Sequence, residues 1–465
     1  MNLVLITIDC LRADHLSCTG YGHLTSPFID SLAEKGMLFK QVIINGVGTF
    51  ASSIALLTST YPLMYGGYEK VNRKTIAEVL QERGYVTAAF NDNAFLSPYF
   101  GFNRGFDYFC CLSLERGGEL KTKVMNYAKK LFYKNSFLLK FATTIYSIVP
   151  KRMNGEVINQ KVLAWLKENC KSKFFIWIHY MDVHGPHYAP KEYFHKLGLL
   201  PPSSRALTEL NAKLAKAVEL YRAGVIEEDE IELLKNTYDA EIRFVDNCIK
   251  DLFDVLISLG VDKNTFIIVT GDHGEEFFEH GGYHSHENFY DEMLRVPLII
   301  YGPGVPNKVI DGQVEQINIA PTILHLLEEK EEPSFKGRSL LNEKPESESI
   351  ISEVSVDYIR SEKGKIVIKT DFRTRKASVR TERNNEKWKY IYSAKTGQEE
   401  LYDLATDPNE KNNLLKGEID FKTKDIWEEL KEKLEKHFKI EEEQLRIKKI
   451  TRKLGQKRQD GIKRE

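Results

Sequence analysis

The 465-residue chain carries no excess of either charge: 66 Lys and Arg stand against 67 Asp and Glu, a formal net charge of -1. That balance excludes a uniformly basic nucleic-acid coat, and no specific nucleic-acid partner is expected. The chain has no run of the ~20 apolar residues that a membrane helix needs. The nearest approach, Phe137 to Pro150, is interrupted by Lys140. No secretory leader is expected from the opening MNLVLITIDC, which has no basic stretch and meets acidic Asp9 too early for a cleavage site. A cytoplasmic location is therefore expected, with peripheral contact at the inner membrane surface as a variant of it. Cysteine is sparse and unpaired in pattern. The six residues at 10, 18, 110, 111, 170 and 248 form no C-x-x-C, and Cys110 and Cys111 are adjacent, so reduced thiols are expected rather than a disulfide framework. Internal repeats are absent.

What is present is the mixture expected of a soluble globular chain, 42% hydrophobic and 29% charged. Short apolar runs alternate with helical patterns, which predicts a large, mostly parallel mixed sheet covered by helices on both faces, an α/β fold. Strands are expected at Asn2 to Ile8, Val86 to Phe90, Phe174 to Tyr180, Thr265 to Thr270 and Pro297 to Tyr301. Helices are expected at Pro27 to Lys35, Ser52 to Ser59, Thr75 to Arg83 and Ile226 to Leu259. The polar stretch NEKPESES, 342 to 349, marks a boundary. The predicted division is a catalytic unit over 1–345 with a lid insertion at 117–160, a small β-rich antiparallel unit over 346–420, and a charged helical tail over 421–465.

Three of the most apolar strands run directly into polar clusters: Asp9, then Asp182 and His184, then Asp272 and His273. In doubly wound sheets ligands bind at that carboxyl edge, so one shared site is the natural reading. A lone Asp9 would be explained equally well as a helix cap, and His184 beside a proline as a loop residue bonded to its own backbone. The segment GDHGEEFFEHGGYHSH is harder to treat as an ordinary polar loop. Its Asp272, His273, His280, His284 and His286 supply oxygen and nitrogen donors suited to a divalent cation. Hydroxyls at a helix start, Thr49, Ser52 and Ser53 after Gly48, offer a nucleophile where free amide N–H groups stabilise an oxyanion, or else simply a cap.

Several segments, taken in order, resemble the sulfatase family of the alkaline phosphatase superfamily. They are IDCLRADHLSCTGYGHLTSPFIDSLAEKG, TFASSIALLTSTYP, FIWIHYMDVHGPH, YDAEIRFVDNCI, VTGDHGEEFFEHGGYH with LRVPLIIYGPG, INIAPTILHLL, GRSLL and ELYDLATDPNEKNNL. The matches run in family order from Leu3 to Leu414. The resemblance implies a central sheet, a smaller carboxy-terminal antiparallel sheet and one divalent metal ion, Ca, Mg or Mn. It implies that Asp9, Asp272, His273 and Thr49 hold the metal, that Thr49 is the nucleophile, and that His184 is a site histidine. Either His284 or His286 falls at the group that assists the leaving oxygen.

Departures from the family pattern are as informative. The nucleophile motif C/S-x-P/A-x-R has Thr49 in the first place and Ser53 in the last, so no formylglycine is expected. The sulfate-gripping Lys and His are replaced within FNDNAFLS, where Asn91 and Asn93 are the polar substitutes for substrate binding. A second Asp ligand is replaced by Cys10, which either packs or ligates a softer metal. Thr at the nucleophile position resembles the phosphotransfer members of the superfamily. The expected function is therefore metal-dependent cleavage of a phospho-ester, by hydrolysis or transfer, through a phospho-Thr49. The alternatives are a sulfuric ester hydrolase and a non-catalytic metal-binding module.

Two segments bear on partners beyond a small-molecule, glycan-linked or lipid-linked ester. Lys121 to Lys151 mixes basic and apolar residues and reads as a lid or as an ordinary packed helical insertion. The tail, Arg446 to Glu465, holds nine basic and two acidic residues, a local charge of +7, with Ile447, Ile450 and Leu454 on one helical face. It is read either as a contact to an anionic surface or as a solvated end.

Overall fold

The computed structural model describes residues 1–67, 70–115, 153–220, 226–283, 288–355, 359–362, 365–368, 370–383 and 386–462. Eight strands form the main sheet: β1 (Asn2–Ile8), β2 (Met37–Ile43), β3 (Val86–Asn91), β4 (Tyr108–Cys111), β5 (Phe174–Tyr180), β6 (Thr265–Gly271), β7 (Arg295–Tyr301) and β8 (Lys308–Glu315). Their spatial order is β4-β3-β5-β1-β6-β7-β2-β8. Strand β7 runs antiparallel to β6 and β2, and every other pairing in this sheet is parallel.

The central strands are buried along their whole length, as continuous apolar runs covered on both faces should be. Their alternation still divides two core layers. Leu3 and Leu5 of β1 pack on one face with Phe175 and Trp177, whereas Val4, Ile6 and Ile8 pack on the other with Ile176 and Ile178. In register, Ile8 stands beside Tyr180 on one side and Gly271 on the other. The next residues of the three strands, Asp9, Met181 and Asp272, therefore emerge together at the carboxyl edge. The ladder continues one step further, with Asp9 N–H donating to Tyr180 O at 2.9 Å and Asp272 N–H to Ile8 O at 3.3 Å.

Helix Glu228–Ser258 braces that edge through its polar residues. Tyr238 Oη donates to Cys10 O at 2.6 Å and accepts from Arg12 N–H at 2.9 Å. Asp239 bonds His15, Tyr21 and His23, each at 2.8 Å. Asp246 accepts from the amides of Phe28 and Ile29 and so caps helix Pro27–Ala33. Asp182 does similar work, accepting from Asn154 N–H at 2.6 Å and Gly155 N–H at 3.2 Å at the start of helix Gly155–Asn169.

The second sheet is antiparallel in the order β14-β13-β12-β9, built from β9 (Ser349–Ser355), β12 (Arg375–Arg383), β13 (Glu386–Ser393) and β14 (Glu399–Asp403). A separate hairpin of β10 (Ile359–Glu362) and β11 (Lys365–Ile368) lies between β9 and β12 in sequence. Leu430 and Leu434 of helix Phe421–Ile462 pack on this sheet with Trp388, Tyr390 and Leu401. A fully buried Lys389 on β13 ties the sheet to the catalytic part, reaching Asp291 at 2.6 Å and Glu410 at 2.8 Å. Among the described residues no helix is long and apolar enough to cross a membrane. Of the lid expected at 117–160, residues 117–152 lie outside the described residues.

Candidate active site

Four segments converge on Asp9, which has no exposed surface. Its Oδ2 lies 3.3 Å from Thr49 Oγ1, 3.3 Å from Asn93 Nδ2 and 3.2 Å from His179 Nε2. Its Oδ1 lies 3.4 Å from His273 Nε2 and 3.3 Å from Cys10 Sγ. Thr49 Oγ1 and His273 Nε2 are themselves 3.3 Å apart. Asp272 is buried beside them, its Oδ1 accepting from Cys10 N–H at 3.2 Å and from His273 N–H at 2.7 Å. The strands Asn2–Ile8, Phe174–Tyr180 and Thr265–Gly271 thus each deliver one or more of these groups, as adjacent parallel strands must when their ends carry polar residues.

Thr49 begins helix Thr49–Thr58, and Gly48 before it has φ of +82°, a left-handed backbone that favours glycine. Gly48 brings no side chain to cap the helix, so the positive helix end and the Thr49 hydroxyl face the same point. Thr49 is 9% exposed while Asp9, Asp272 and His273 show no exposure, which places the threonine on the accessible side of the cluster. Beneath it, Ser52 Oγ donates to Asp272 O and receives Gln316 Nε2 at 2.8 Å, locking the helix to β6.

The backbone at Cys10 is unusual: φ is +59° at a residue with a side chain. Such a conformation costs about 1–2 kcal/mol and persists only where its surroundings hold it. Here Asp272 Oδ1 holds the amide and Tyr238 Oη the carbonyl.

Electrostatics reinforce the clustering. Burial raises the Asp9 pKa, but the imidazoles of His184, His179 and His273 outweigh it and hold the carboxyl well below its ordinary value. Burial, then the Asp9 charge, pushes Asp272 up to about 6. His273 is raised because Asp272 and Asp9 outweigh its burial. Two buried carboxylates so close resist joint ionisation unless a cation compensates them. Asp272 Oδ2 is buried and makes no hydrogen bond, an orphaned acceptor of the kind a metal ion satisfies. The donors of Asp9, His179 and Asp272 lie within 4.8 Å of one another, as do those of Asp9, Cys10 and His273. These residues fit a divalent cation.

The sequence-based candidates separate clearly in space. Asp9, Thr49, Asp272, His273 and Asn93 come together at the centre, and His184 acts on Asp9 through its charge. Asn91 does not reach it, because its amide serves its own loop: Oδ1 accepts from Asn93 N–H at 3.1 Å and Nδ2 donates to Leu96 O at 3.4 Å. His280 turns away to Glu292 at 2.7 Å and stacks on Tyr290. His284 and His286 lie outside the described residues. His179 escaped sequence reasoning; its signal was a lone imidazole in the otherwise apolar FFIWIHY. The Thr7 hydroxyl, 2.8 Å from its Nδ1, keeps Nε2 turned to Asp9.

Comparison with known proteins bears on the family and the fold. A family profile described as N-sulphoglucosamine sulphohydrolase, C-terminal, matches residues 278–440. An arylsulfatase of Clostridium perfringens is 25% identical, the match covering 92% of this chain and 94% of that one. A phosphonate monoester hydrolase from Silicibacter pomeroyi superposes with a TM-score of 0.69 at 20% identity, covering 94% of each chain. A protein solved in complex with its substrate D-glucosamine-2-N,6-O-disulfate superposes with a TM-score of 0.65 at 18% identity, covering 95% of this chain and 98% of that one. The Sulfatase family profile itself matches residues 1–329, and the chain belongs to the sulfatase family, hydrolases that act on ester bonds.

Proposed function

We propose that this hydrolase cleaves a phospho-ester through Thr49, with a small molecule or a glycan as the alcohol side. The observation that carries the reading is a threonine hydroxyl, not convertible to formylglycine, placed 3.3 Å from both Asp9 Oδ2 and His273 Nε2 at a helix start. The cation held by Asp9, Asp272, His273 and Thr49 would supply positive charge that neutralises the substrate oxyanion and lowers the hydroxyl pKa. Thr49, its hydroxyl acidified beside the cation site, gives up its proton to solvent and attacks phosphorus; the phosphorus–oxygen bond to the leaving alcohol breaks, and a site imidazole, His184 among them, protonates the departing oxygen. Water then attacks phosphorus and gives a proton to the site imidazole, the bond to Thr49 Oγ1 breaks, the threonine oxygen takes up a proton, and phosphate or its monoester is released. Asn93 Nδ2 orients a non-bridging oxygen, and the helix amides stabilise its charge.

A sulfuric ester is the second reading. The similarity to an arylsulfatase favours it over a phospho-ester. The chemistry of residue 49 argues against it, because a sulfated threonine is hard to hydrolyse again, whereas phospho-threonine is not. A glycan alcohol draws support from the disulfated glucosamine bound by one structural neighbour. Metal-loaded protein assayed on chromogenic phosphodiester, phosphomonoester and aryl sulfate decides between the readings. Thr49→Ala should lower phospho-ester turnover by roughly 10³-fold or more. Turnover of aryl sulfate alone, unchanged by Thr49→Ala, contradicts the proposal.

A further inference from the structure

The donor set around Asp9 is poorer in oxygen than a cage for calcium or magnesium. Cys10 Sγ lies 3.3 Å from Asp9 Oδ1, His273 Nε2 3.4 Å from the same oxygen, and His179 Nε2 3.2 Å from Asp9 Oδ2. Bonds of about 2.0–2.3 Å to one ion set tetrahedral donors roughly 3.3–3.8 Å apart, and the donors of Asp9, Cys10 and His273 lie within 4.8 Å of one another. Cys10, His179 and His273 are fully buried, so none owes its direction to solvent.

The Cys10 backbone carries the second observation. Its φ of +59° goes with a hydrogen bond from its amide to Asp272 Oδ1 and one from Tyr238 Oη to its carbonyl, and it sets the direction of the side chain. In this conformation the thiol lies between Asp9 Oδ1 and Glu275 Oε2, the latter 3.5 Å away. The third observation is Asp272 Oδ2, buried, without a hydrogen bond and 3.8 Å from His273 Nε2.

We propose that Cys10 is a direct metal ligand and that the resident cation is a sulfur- and nitrogen-accepting transition ion of the zinc type, rather than calcium, magnesium or manganese. The inference rests on reading this cluster as the metal centre, and not on the ester it cleaves. Thiolate and imidazole select such ions, whereas carboxylate and water suit the harder ones. On ligation the S–H bond breaks, the sulfur–metal bond forms, and the proton passes to a neighbouring carboxylate, Glu275 Oε2 being within reach, and then to solvent.

The test uses the full chain stripped by chelator and titrated with Co(II) under reducing conditions. One equivalent should produce a sulfur-to-cobalt charge-transfer band in the near ultraviolet that zinc displaces and calcium in hundredfold excess does not. Cys10→Ser should abolish the band while leaving the visible cobalt bands, and Cys10→Asp should lower the zinc-to-calcium affinity ratio at least a hundredfold. X-ray absorption of the zinc-loaded wild type gives an answer that needs no variant to fold: one sulfur neighbour at about 2.3 Å. Absence of sulfur in that shell, persistence of the band in Cys10→Ser, or calcium binding as tight as zinc overturns the proposal. A metal site with the predicted sulfur but no ester turnover would overturn the reaction instead, and turnover without sulfur ligation would overturn only this inference.

Discussion

At the scale of single residues the account turns on groups whose roles differ although they look alike in sequence. Asn91 and Asn93 are two positions apart; one spends its amide inside its loop and the other reaches Asp9. Asp182 ends its strand with the same acidic side chain as Asp9 and Asp272, yet serves as a helix cap. His179 is the converse case, a strand-interior residue that belongs to the site because Thr7 Oγ1 fixes its ring. Replacing His179 by Leu should leave the strand packed but weaken metal binding by about 10- to 100-fold, the usual effect of losing a ligand's partner. Competition with a chromophoric chelator measures it, and unchanged affinity would return His179 to the role of a satisfied core histidine.

At the scale of elements, much of the architecture was legible. β1, β5 and β6 appear as uninterrupted apolar runs, and the structure places them as adjacent strands within one residue of the expected bounds. Helix Thr49–Thr58 begins three residues before the start read from its apolar pattern, because the hydroxyl-rich first turn carries no hydrophobic signal. Strand β4 is only four residues long at the sheet edge, and edge strand β8 (KVIDGQVE) is interrupted by polar residues and glycine, so neither stood out. What no pattern revealed was bracing by distant side chains such as Tyr238. Tyr238→Phe removes the hydroxyl that bonds the Cys10 carbonyl and the Arg12 amide, and should cost about 1–3 kcal/mol of unfolding free energy in a urea titration. Loss of less than a few tenths would show that this helix does not hold the Cys10 turn.

The carboxy-terminal helix makes a pH-dependent contact. His437 Nε2 lies 2.9 Å from Glu353 Oε2 on β9 and 3.5 Å from Glu441 Oε1. Arg375 of β12 reaches Glu441 at 3.5 Å, and Tyr61 packs its ring on His437. Burial lowers the His437 pKa, but Glu353 and Glu441 outweigh it and push it up to about 10; burial and then Glu353 push Glu441 up to about 8. Both folded values exceed the unfolded ones, so both groups stabilise most at low pH and lose that contribution as pH rises through about 8 and about 10. Glu353, held below its ordinary value by His437 despite burial, works in the opposite sense and only at acid pH. The thermal midpoint should therefore fall between pH 7 and pH 10, and His437→Gln should flatten that fall. A midpoint rising over this range in the wild type would contradict the assignment.

For the molecule as a whole, the near-zero net charge conceals a segregated distribution: acidic and imidazole groups gather at the sheet edge, and a +7 segment closes the chain. The family was legible because its motifs follow the strand ends that build the site, and strand ends are fixed by register. The substrate was not, because the alcohol side of the ester is recognised by side chains that no motif singles out, and family membership fixes a reaction type better than a substrate. The central claim is that Thr49 becomes covalently phosphorylated. Its most direct test is intact-mass and peptide-mass analysis of metal-loaded protein quenched with acid during turnover of a chromogenic phospho-ester. The account predicts a phosphate-sized adduct on the peptide carrying Thr49, absent in Thr49→Ala; turnover that persists in Thr49→Ala with no adduct on the wild type would contradict it.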